Sequence, residues 1–416
     1  MDVIEDIEEI IPDYADISSS TYKQGLIGLL ICSIGDLFAG IALGSMTHTL
    51  ELLPGLMILI TPAIGMRGNV FGALGSRLGT ALHTGIFSAK LDKHSILGQN
   101  IMSAMINTIV LSVALGFIAK IFAAFFGIES ISLRDFVFIS IIGGIISGFF
   151  MLQITVGIAL AGFKYGWDID NLNSPIITAS GDLITLPAIF IATVFLNFLT
   201  QTESDLIIKI IFYSSIIIAI ASFIYILILT DLKITKRIVL ESFPVLLIAG
   251  TLSAIAGLTI DSQLEHLLIM PVLLVLIPPF LGVNNALGGI LTSRLSSMLH
   301  TGIMDPNLIP NKLAIRNFIL IYIFLLIIFP MVGLSSFISA KILNIDSIEL
   351  LNLMLIATIA GFIAVTIVNI IGYYIAVAAY KLRLDPDNYG IPLSSSAIDA
   401  FGTFCLVFVL LLFGLI

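Results

Sequence analysis

The sequence predicts an all-α integral membrane protein with eleven transmembrane helices arranged as 5+1+5, and three observations carry that expectation. Composition is the first: 58% of the 416 residues are hydrophobic and 11% are charged, with a mean hydropathy of +1.14, whereas soluble globular chains carry roughly a quarter charged residues. No aqueous fold hides that much apolar surface. Second, the apolar runs repeatedly exceed the about 20 residues with which an α-helix crosses a hydrocarbon layer of about 30 Å, and they lack the strict alternation of a barrel strand. Third, the chain repeats itself at a fixed offset of 217 positions.

Cutting at polar and Gly/Pro-rich breaks places the spans at 24–44, 53–86, 96–126, 134–163, 174–200, 205–230, 238–260, 267–300, 313–342, 349–380 and 391–416. Several run past about 30 residues, which implies tilt, projection beyond the bilayer or an internal break. Lys and Arg gather on the cytoplasmic side of short loops. With the N-terminus inside, Lys23, Lys90, Lys93, Lys164, Lys233, Lys236, Arg237, Lys312, Arg316, Lys381 and Arg383 fall on the cytoplasmic face, and only Lys120, Arg134, Lys209 and Lys341 fall outside. The expected placement is the cell (plasma) membrane, N-terminus cytoplasmic and C-terminus outside.

The repeat is read without a gap. It aligns Leu82-His83-Thr84-Gly85-Ile86 with Leu299-His300-Thr301-Gly302-Ile303, and Ser76-Arg77-Leu78 with Ser293-Arg294-Leu295. The same register pairs Gly40 with Gly257, Pro62 with Pro279, Gly65 with Gly282, Asn100 with Asn317, Asp170 with Asp387, Pro175 with Pro392 and Asp182 with Asp399. One register held that long fixes architecture more firmly than a hydropathy cut. Five spans per copy is an odd number, so direct fusion would invert the second copy. An extra span near 205–230 restores it, and the copies then run parallel about a pseudo-two-fold axis along the membrane normal. The expected division is an acidic cytoplasmic segment 1–23, a first five-helix unit 24–203, a linking helix 204–236 and a second unit 237–416, with a single chain forming the complete pseudo-dimeric pore.

Several classes fall away. Cys32 and Cys405 sit inside apolar runs and read as small core residues, so neither a disulfide framework nor a Cys-rich metal site is expected. The N-terminus carries Asp2, Glu5, Asp6, Glu8, Glu9, Asp13 and Asp16 where a cleaved signal would be basic. Its Val3, Ile4, Ile7, Ile10 and Ile11 are spaced for one face of an amphipathic helix near the cytoplasmic mouth, or the segment is a loose tail. A net charge of −9 with scattered Lys and Arg excludes a nucleic-acid partner; the expected partners are membrane lipid and a cation.

An ionisable residue in hydrocarbon costs several kcal/mol by the mildest estimates, so each is a functional hypothesis. Asp182 and Asp399 lead. If their helices begin near Pro175 and Pro392, each aspartate lies roughly 10 Å along the helix, with Thr178 and Ser395 one turn earlier on the same face. Two carboxylates facing each other across an axis repel unless a cation sits between them. Mg2+ takes oxygen ligands, keeps several waters and touches one or two carboxylates, which suits two acids on an axis. Mg2+ is thus expected as substrate and bound ion, with no prosthetic group and no enzymatic activity.

The segment from Asp170-Asn171-Leu172-Asn173-Ser174-Pro175 to Gly181-Asp182, and its partner from Asp385-Pro386-Asp387-Asn388 to Asp399, resemble the membrane domain of the MgtE magnesium transporters. The stretch Pro62-Ala63-Ile64-Gly65-Met66-Arg67-Gly68-Asn69 looks like the second helix of that family, especially its duplicated solute-carrier branch. The resemblance covers the chain from about residue 24 onward. It implies a pore on the two-fold axis, lined by the second and fifth helices of each unit, with Asp182 and Asp399 binding hydrated Mg2+ and Thr178 and Ser395 nearby. It also places Gly68, Asn69, Asn285, Ser180, Pro175 and Pro392 along that pore. The family's second-helix Gln is absent from both copies, which read Gly72-Ala73 and Gly289-Ile290. Nor is there a stretch of soluble composition long enough for the sensing domains of bacterial members.

Remaining charges are weighed beside these. Arg77 and Arg294, near cytoplasmic helix ends, either snorkel and pair with Asp168/Asp170 and Asp385/Asp387 as structural residues or gate the path, with Asp170 and Asp387 at its cytoplasmic mouth. Asp36, whose repeat partner is Ser253, either binds a coupling ion or pairs with Arg67. Coupling of this kind is the alternative function: an exchanger of Mg2+, Mn2+ or another divalent cation against Na+ or H+. An intramembrane aspartyl protease also uses two membrane aspartates, but the Tyr-Asp and Pro-Ala-Leu signatures are missing. A carrier of organic cations would need aromatic walls, and the chain has one tryptophan, Trp167.

Overall fold

The computed structural model describes residues 19–165, 169–382 and 390–416, with side chains described throughout these except at 19–24, 83, 169–175, 229, 300 and 391. Among the described residues the regular structure is helical, and eleven helices are long and apolar enough to cross a membrane. In chain order they are α1 (Ser19–Gly44), the short α2 (Thr47–Leu52), α3 (Leu56–His83), α4 (Ile96–Phe125), α5 (Leu133–Tyr165), α6 (Ile169–Gln201) and α7 (Asp205–Ile224), which runs on through a π-helical turn at Tyr225–Leu229. Then come α8 (Lys233–Asp261), the short α9 (Leu264–Ile269), α10 (Val272–His300), α11 (Lys312–Leu343), α12 (Leu350–Leu382) and α13 (Ile391–Leu412). Away from their ends and prolines, helical spans pair backbone N–H and C=O groups within the helix, the arrangement a hydrocarbon layer demands.

Two expected starts move. Hydropathy began the second and eighth spans at 53 and 267, whereas α3 starts at Leu56 and α10 at Val272, because residues 53–55 form the turn after α2 and α9 takes up residues 267–269. Gly55 turns the chain into α3 at φ +78°, and a Cβ there would lie 2.8 Å from Ser130 Cβ, so both the backbone and the close approach call for glycine. The fifth span also differs from expectation. α6 begins at Ile169, so the chain is already helical at residue 175. A proline denies its own N–H and the carbonyl four residues back, which a preceding turn survives. Pro392 does stand in the first turn of α13.

The spans longer than a bilayer are continuous: α4, α5, α11 and α12 run 30, 33, 32 and 33 residues. At about 1.5 Å per residue they reach roughly 45–50 Å, so they tilt or project and do not break. The aligned Thr84-Gly85 and Thr301-Gly302 pairs end α3 and α10 in the same way. Thr84 Oγ1 donates to the Thr80 carbonyl and Thr301 Oγ1 to the Ser297 carbonyl, each at 2.8 Å, before Gly85 and Gly302 turn at φ +70° and +73°. The His83 and His300 side chains lie outside the described residues, as do residues 1–18 of the acidic segment.

Packing follows the 217-residue register. The first helix of each half lies across the second helix of the other, α1 on α10 and α8 on α3, and each also packs on the fifth helix of its own half, α6 and α13. Glycine permits the crossing. A Cβ on Gly40 would overlap the Val275 carbonyl, and one on Gly257 the Met57 carbonyl, the close backbone approach by which membrane helices associate. At the opposite end the Gln99 carboxamide oxygen accepts the N–H groups of Ile234 (3.1 Å) and Thr235 (3.4 Å), satisfying orphan donors at the start of α8 from the other half. Helix α7 packs on α4, α5 and, less extensively, α6, and most of its span is not buried. Its Asp205 is tied to Arg134 and, at 2.7 Å, to Lys209.

Candidate functional site

A cavity of about 810 Å3 runs between the halves, walled by α3 and α6 from one and α10 and α13 from the other. On α3 the wall is Gly65, Gly68, Asn69, Gly72, Ser76 and Thr80; on α10 it is Gly282, Asn285, Gly289, Ser293 and Ser297. Asn69 apart, spacings of three and four residues put each set on one helical face, and the five remaining α3 positions correspond to the five of α10 in the repeat. Small side chains leave the space open. A Cβ on Gly68, Gly72 or Gly289 would meet nothing within 4 Å. From Gly65 to Thr80 is about 22 Å of helix, ending where Thr80 and Ser293 are exposed. At the other end Met57, Ile60, Ile277 and Leu281 are buried and close the cavity with an apolar layer.

Both predicted aspartates line this space, with Thr178 and Ser395 one turn away. Asp399 lies level with Gly65, whose Cβ would sit 3.3 Å from its Oδ2. Its two oxygens are both held: Asn285 Nδ2 donates to Oδ1 at 2.7 Å and Ser253 Oγ to Oδ2 at 3.3 Å. Asp182 faces a different neighbour, the carboxyl group of Asp36. Ser395 Oγ donates to Asn69 Oδ1 at 2.9 Å, across the two halves. Among the described residues no three His, Cys, Asp or Glu side chains close on one point.

Asp36 is fully buried, accepts from Cys32 Sγ at 3.2 Å and is covered by Gly282, where a Cβ would overlap its carboxylate. It does not take Arg67 as partner. The Arg67 guanidinium is buried among α3, α4 and α5 and donates to Ser112 Oγ at 2.8 Å. Arg77 and Arg294 behave alike, each giving Nε to the matched Asn100 or Asn317 at 2.8 and 2.7 Å, and Arg294 lies on the cavity wall at its open end. Asp168, Asp385 and Asp387 lie outside the described residues, as do the side chains of Asp170 and Pro175.

Two expected pore residues are not on the wall. Ser180 stands two residues from Asp182, about 200° around the helix, and Pro392 is buried in the first turn of α13. Conversely, Ser76, Ser293, Thr80 and Ser297 belong to the wall and were not singled out from sequence, although their equal spacing in the two repeats was readable there. Ser253 was noted only as the neutral counterpart of Asp36, because nothing local marks a helix serine as the ligand of an aspartate 146 residues away.

Comparison with known proteins gives the chemistry a family. The MgtE family model, described as a divalent cation transporter, matches residues 60–193 and 277–409, its second match beginning 217 residues after the first. Solute carrier family 41 member 3 from Rattus norvegicus is 24% identical over 433 residues, covering 94% of this chain and 87% of that protein. The Mus musculus member 3 is 24% identical over 424 residues, 91% of this chain and 80% of that protein. Human solute carrier family 41 member 2 is 25% identical over 311 residues, 71% of this chain and 51% of that protein. No solved structure matches the chain. The chain is therefore a transporter and not a protease, and its eleven spans build a multi-pass membrane protein. With the family model matched over more than half of its length, this chain belongs to the MgtE family of divalent cation transporters.

Proposed function

We propose that this chain moves Mg2+ across the plasma membrane through the cavity between its two halves, with Asp182 and Asp399 holding the hydrated ion and Thr178 and Ser395 completing an oxygen-lined face. The observation that carries this reading is the cavity itself. Its polar length is walled by glycine, serine, threonine and asparagine, and two carboxyl groups lie toward its closed end. Mg2+ sheds water reluctantly and is commonly held by one or two carboxylates plus water. The unit division 24–203, 204–236 and 237–416, with residues 1–23 at the cytoplasmic side, goes with this reading. So does the topology of N-terminus inside and C-terminus outside, which the loop charges support. In that topology the cavity opens to the cytoplasm and its apolar layer faces outward.

The test is Mg2+ flux into liposomes carrying the purified chain, followed with an entrapped indicator. Flux above protein-free vesicles that falls at least about tenfold in Asp182→Asn, with the variant still monodisperse, is the expected result. Equal flux in wild type, Asp182→Asn and empty vesicles would refute the proposal.

A further inference from the structure

The two halves differ at the position that touches the fifth-helix aspartate. In the second half Ser253 donates to Asp399, and Asn285 satisfies the other oxygen. In the first half the counterpart of Ser253 is Asp36 and the counterpart of Asn285 is Gly68, so Asp182 meets a second carboxyl group and loses the amide donor. Asp36 is fully buried, and its Oδ1 has no hydrogen-bond partner. Two buried carboxyl groups in contact repel when both are ionised, and either a shared proton or a cation between them relieves that repulsion. Cys32 Sγ is a weak donor at 3.2 Å, and Arg67, the nearest candidate in sequence, is committed to Ser112.

We infer that Asp36 and Asp182 form a second cation subsite, within the first half and off the pseudo-two-fold axis, that takes the transported divalent ion with part of its water shell. The inference rests on the transport reading above and adds a residue and a position to it. Asp182 lines the cavity and Asp36 does not, so an ion there keeps its waters on the cavity side and gains Asp36 behind. Asp182 is common to both positions: it lines the cavity with Asp399 and also meets the Asp36 carboxyl group. Asp399, with each oxygen already accepting from a neutral side chain, has less need of a cation. The ion is therefore held unequally, closer to the first half. Glycine at both Gly65 and Gly282 leaves the same notch beside residue 253 as beside residue 36, so the third acid could equally stand in the second half.

Mg2+ binding isotherms and thermal unfolding of the full-length protein in detergent test this, using wild type, Asp36→Asn, Asp36→Ser, Asp182→Asn and the exchange variant Asp36→Ser with Ser253→Asp. Asp36→Asn and Asp36→Ser are expected to weaken Mg2+ binding at least about tenfold. Their melting temperature without Mg2+ should hold or rise, since a repulsion is gone, while the gain on adding Mg2+ shrinks. The exchange variant is expected to recover most of the lost affinity by facing Asp399 with the new carboxylate. Unchanged Mg2+ affinity in both Asp36 variants, with Asp182→Asn still abolishing binding, overturns the subsite and leaves the transport reading standing. Full binding in Asp182→Asn would instead remove the transport reading. A lowered melting temperature without Mg2+, with the Mg2+-induced gain intact, would make Asp36 a structural residue and overturn the subsite as well.

Discussion

Ser395 of α13 gives its hydroxyl proton to Asn69 Oδ1 of α3 at 2.9 Å, joining residues 326 positions apart across the cavity. Each belongs to a different half, so this bond sets how closely the fifth helix of one approaches the second helix of the other. Asn69 is 3% exposed, and its carboxamide oxygen would lose its partner in Ser395→Ala. A buried polar group left unsatisfied costs about 1–3 kcal/mol. Ser395→Ala is expected to lower the melting temperature and to reduce Mg2+ flux several-fold. Ser395→Thr, which keeps the hydroxyl, should retain most of both; equal loss in the two variants would show that the hydroxyl is not what matters.

Gly72 and Gly257 are both helical glycines with opposite surroundings. A side chain at Gly72 projects into open space, so Gly72→Leu is expected to fold as well as wild type, helped by up to about 1 kcal/mol of helix propensity, and to obstruct the path. Gly257→Ala would drive its methyl into the Met57 carbonyl and to 2.9 Å from Ile58 Cα, at a cost of about 1–3 kcal/mol for overpacking. Thermal unfolding and flux, measured on both, should therefore separate: flux lost with stability kept at Gly72, stability lost at Gly257.

Much of this was legible in the sequence because hydrocarbon imposes simple rules. Eleven spans, the 217-residue register and the presence of Asp182 and Asp399 on one cavity follow from length, repetition and spacing. What was not legible lies in contacts between halves. That α1 crosses α10, and not α3, depends on Gly40 meeting a carbonyl of a helix more than 200 residues away, which no local pattern encodes. Asp36 shows the same limit. Sequence left it between an ion and Arg67, and burial among α3, α4 and α5 gave Arg67 to Ser112 while α1 brought Asp36 to Asp182. The start of α6 was misplaced for a local reason: a proline was read as a beginning where it stands inside a helix.

Topology can be checked on the same protein, since Cys32 and Cys405 are buried and free and give little labelling background. Ser262 and Leu308 are exposed at opposite ends of α10. With the N-terminus inside, a cysteine at Ser262 is expected to react with an impermeant maleimide added to intact cells, and one at Leu308 to react only after permeabilisation. The reverse pattern would invert the proposed orientation.

The last expectation concerns Asp182 and Asp399 together. Both carboxyl groups reach one cavity, so if they hold one hydrated ion, removing either leaves half the axial charge and already cripples transport. The second removal then has little left to destroy. Energies of residues that share a partner do not add, in contrast to those of well separated sites. Asp182→Asn and Asp399→Asn are each expected to lower Mg2+ flux at least about tenfold, and the double variant to fall only slightly further. Because the asparagines preserve shape, monodisperse purification and unchanged melting in the absence of Mg2+ would separate loss of the site from loss of the fold. Flux and a Mg2+ isotherm must be read together, since growth alone responds to expression. Two independent paths, one per half, predict instead that each single variant keeps about half the wild-type flux and that the double variant loses the rest. Those two patterns cannot both be fitted by one set of measurements, so the comparison decides whether the halves share an ion.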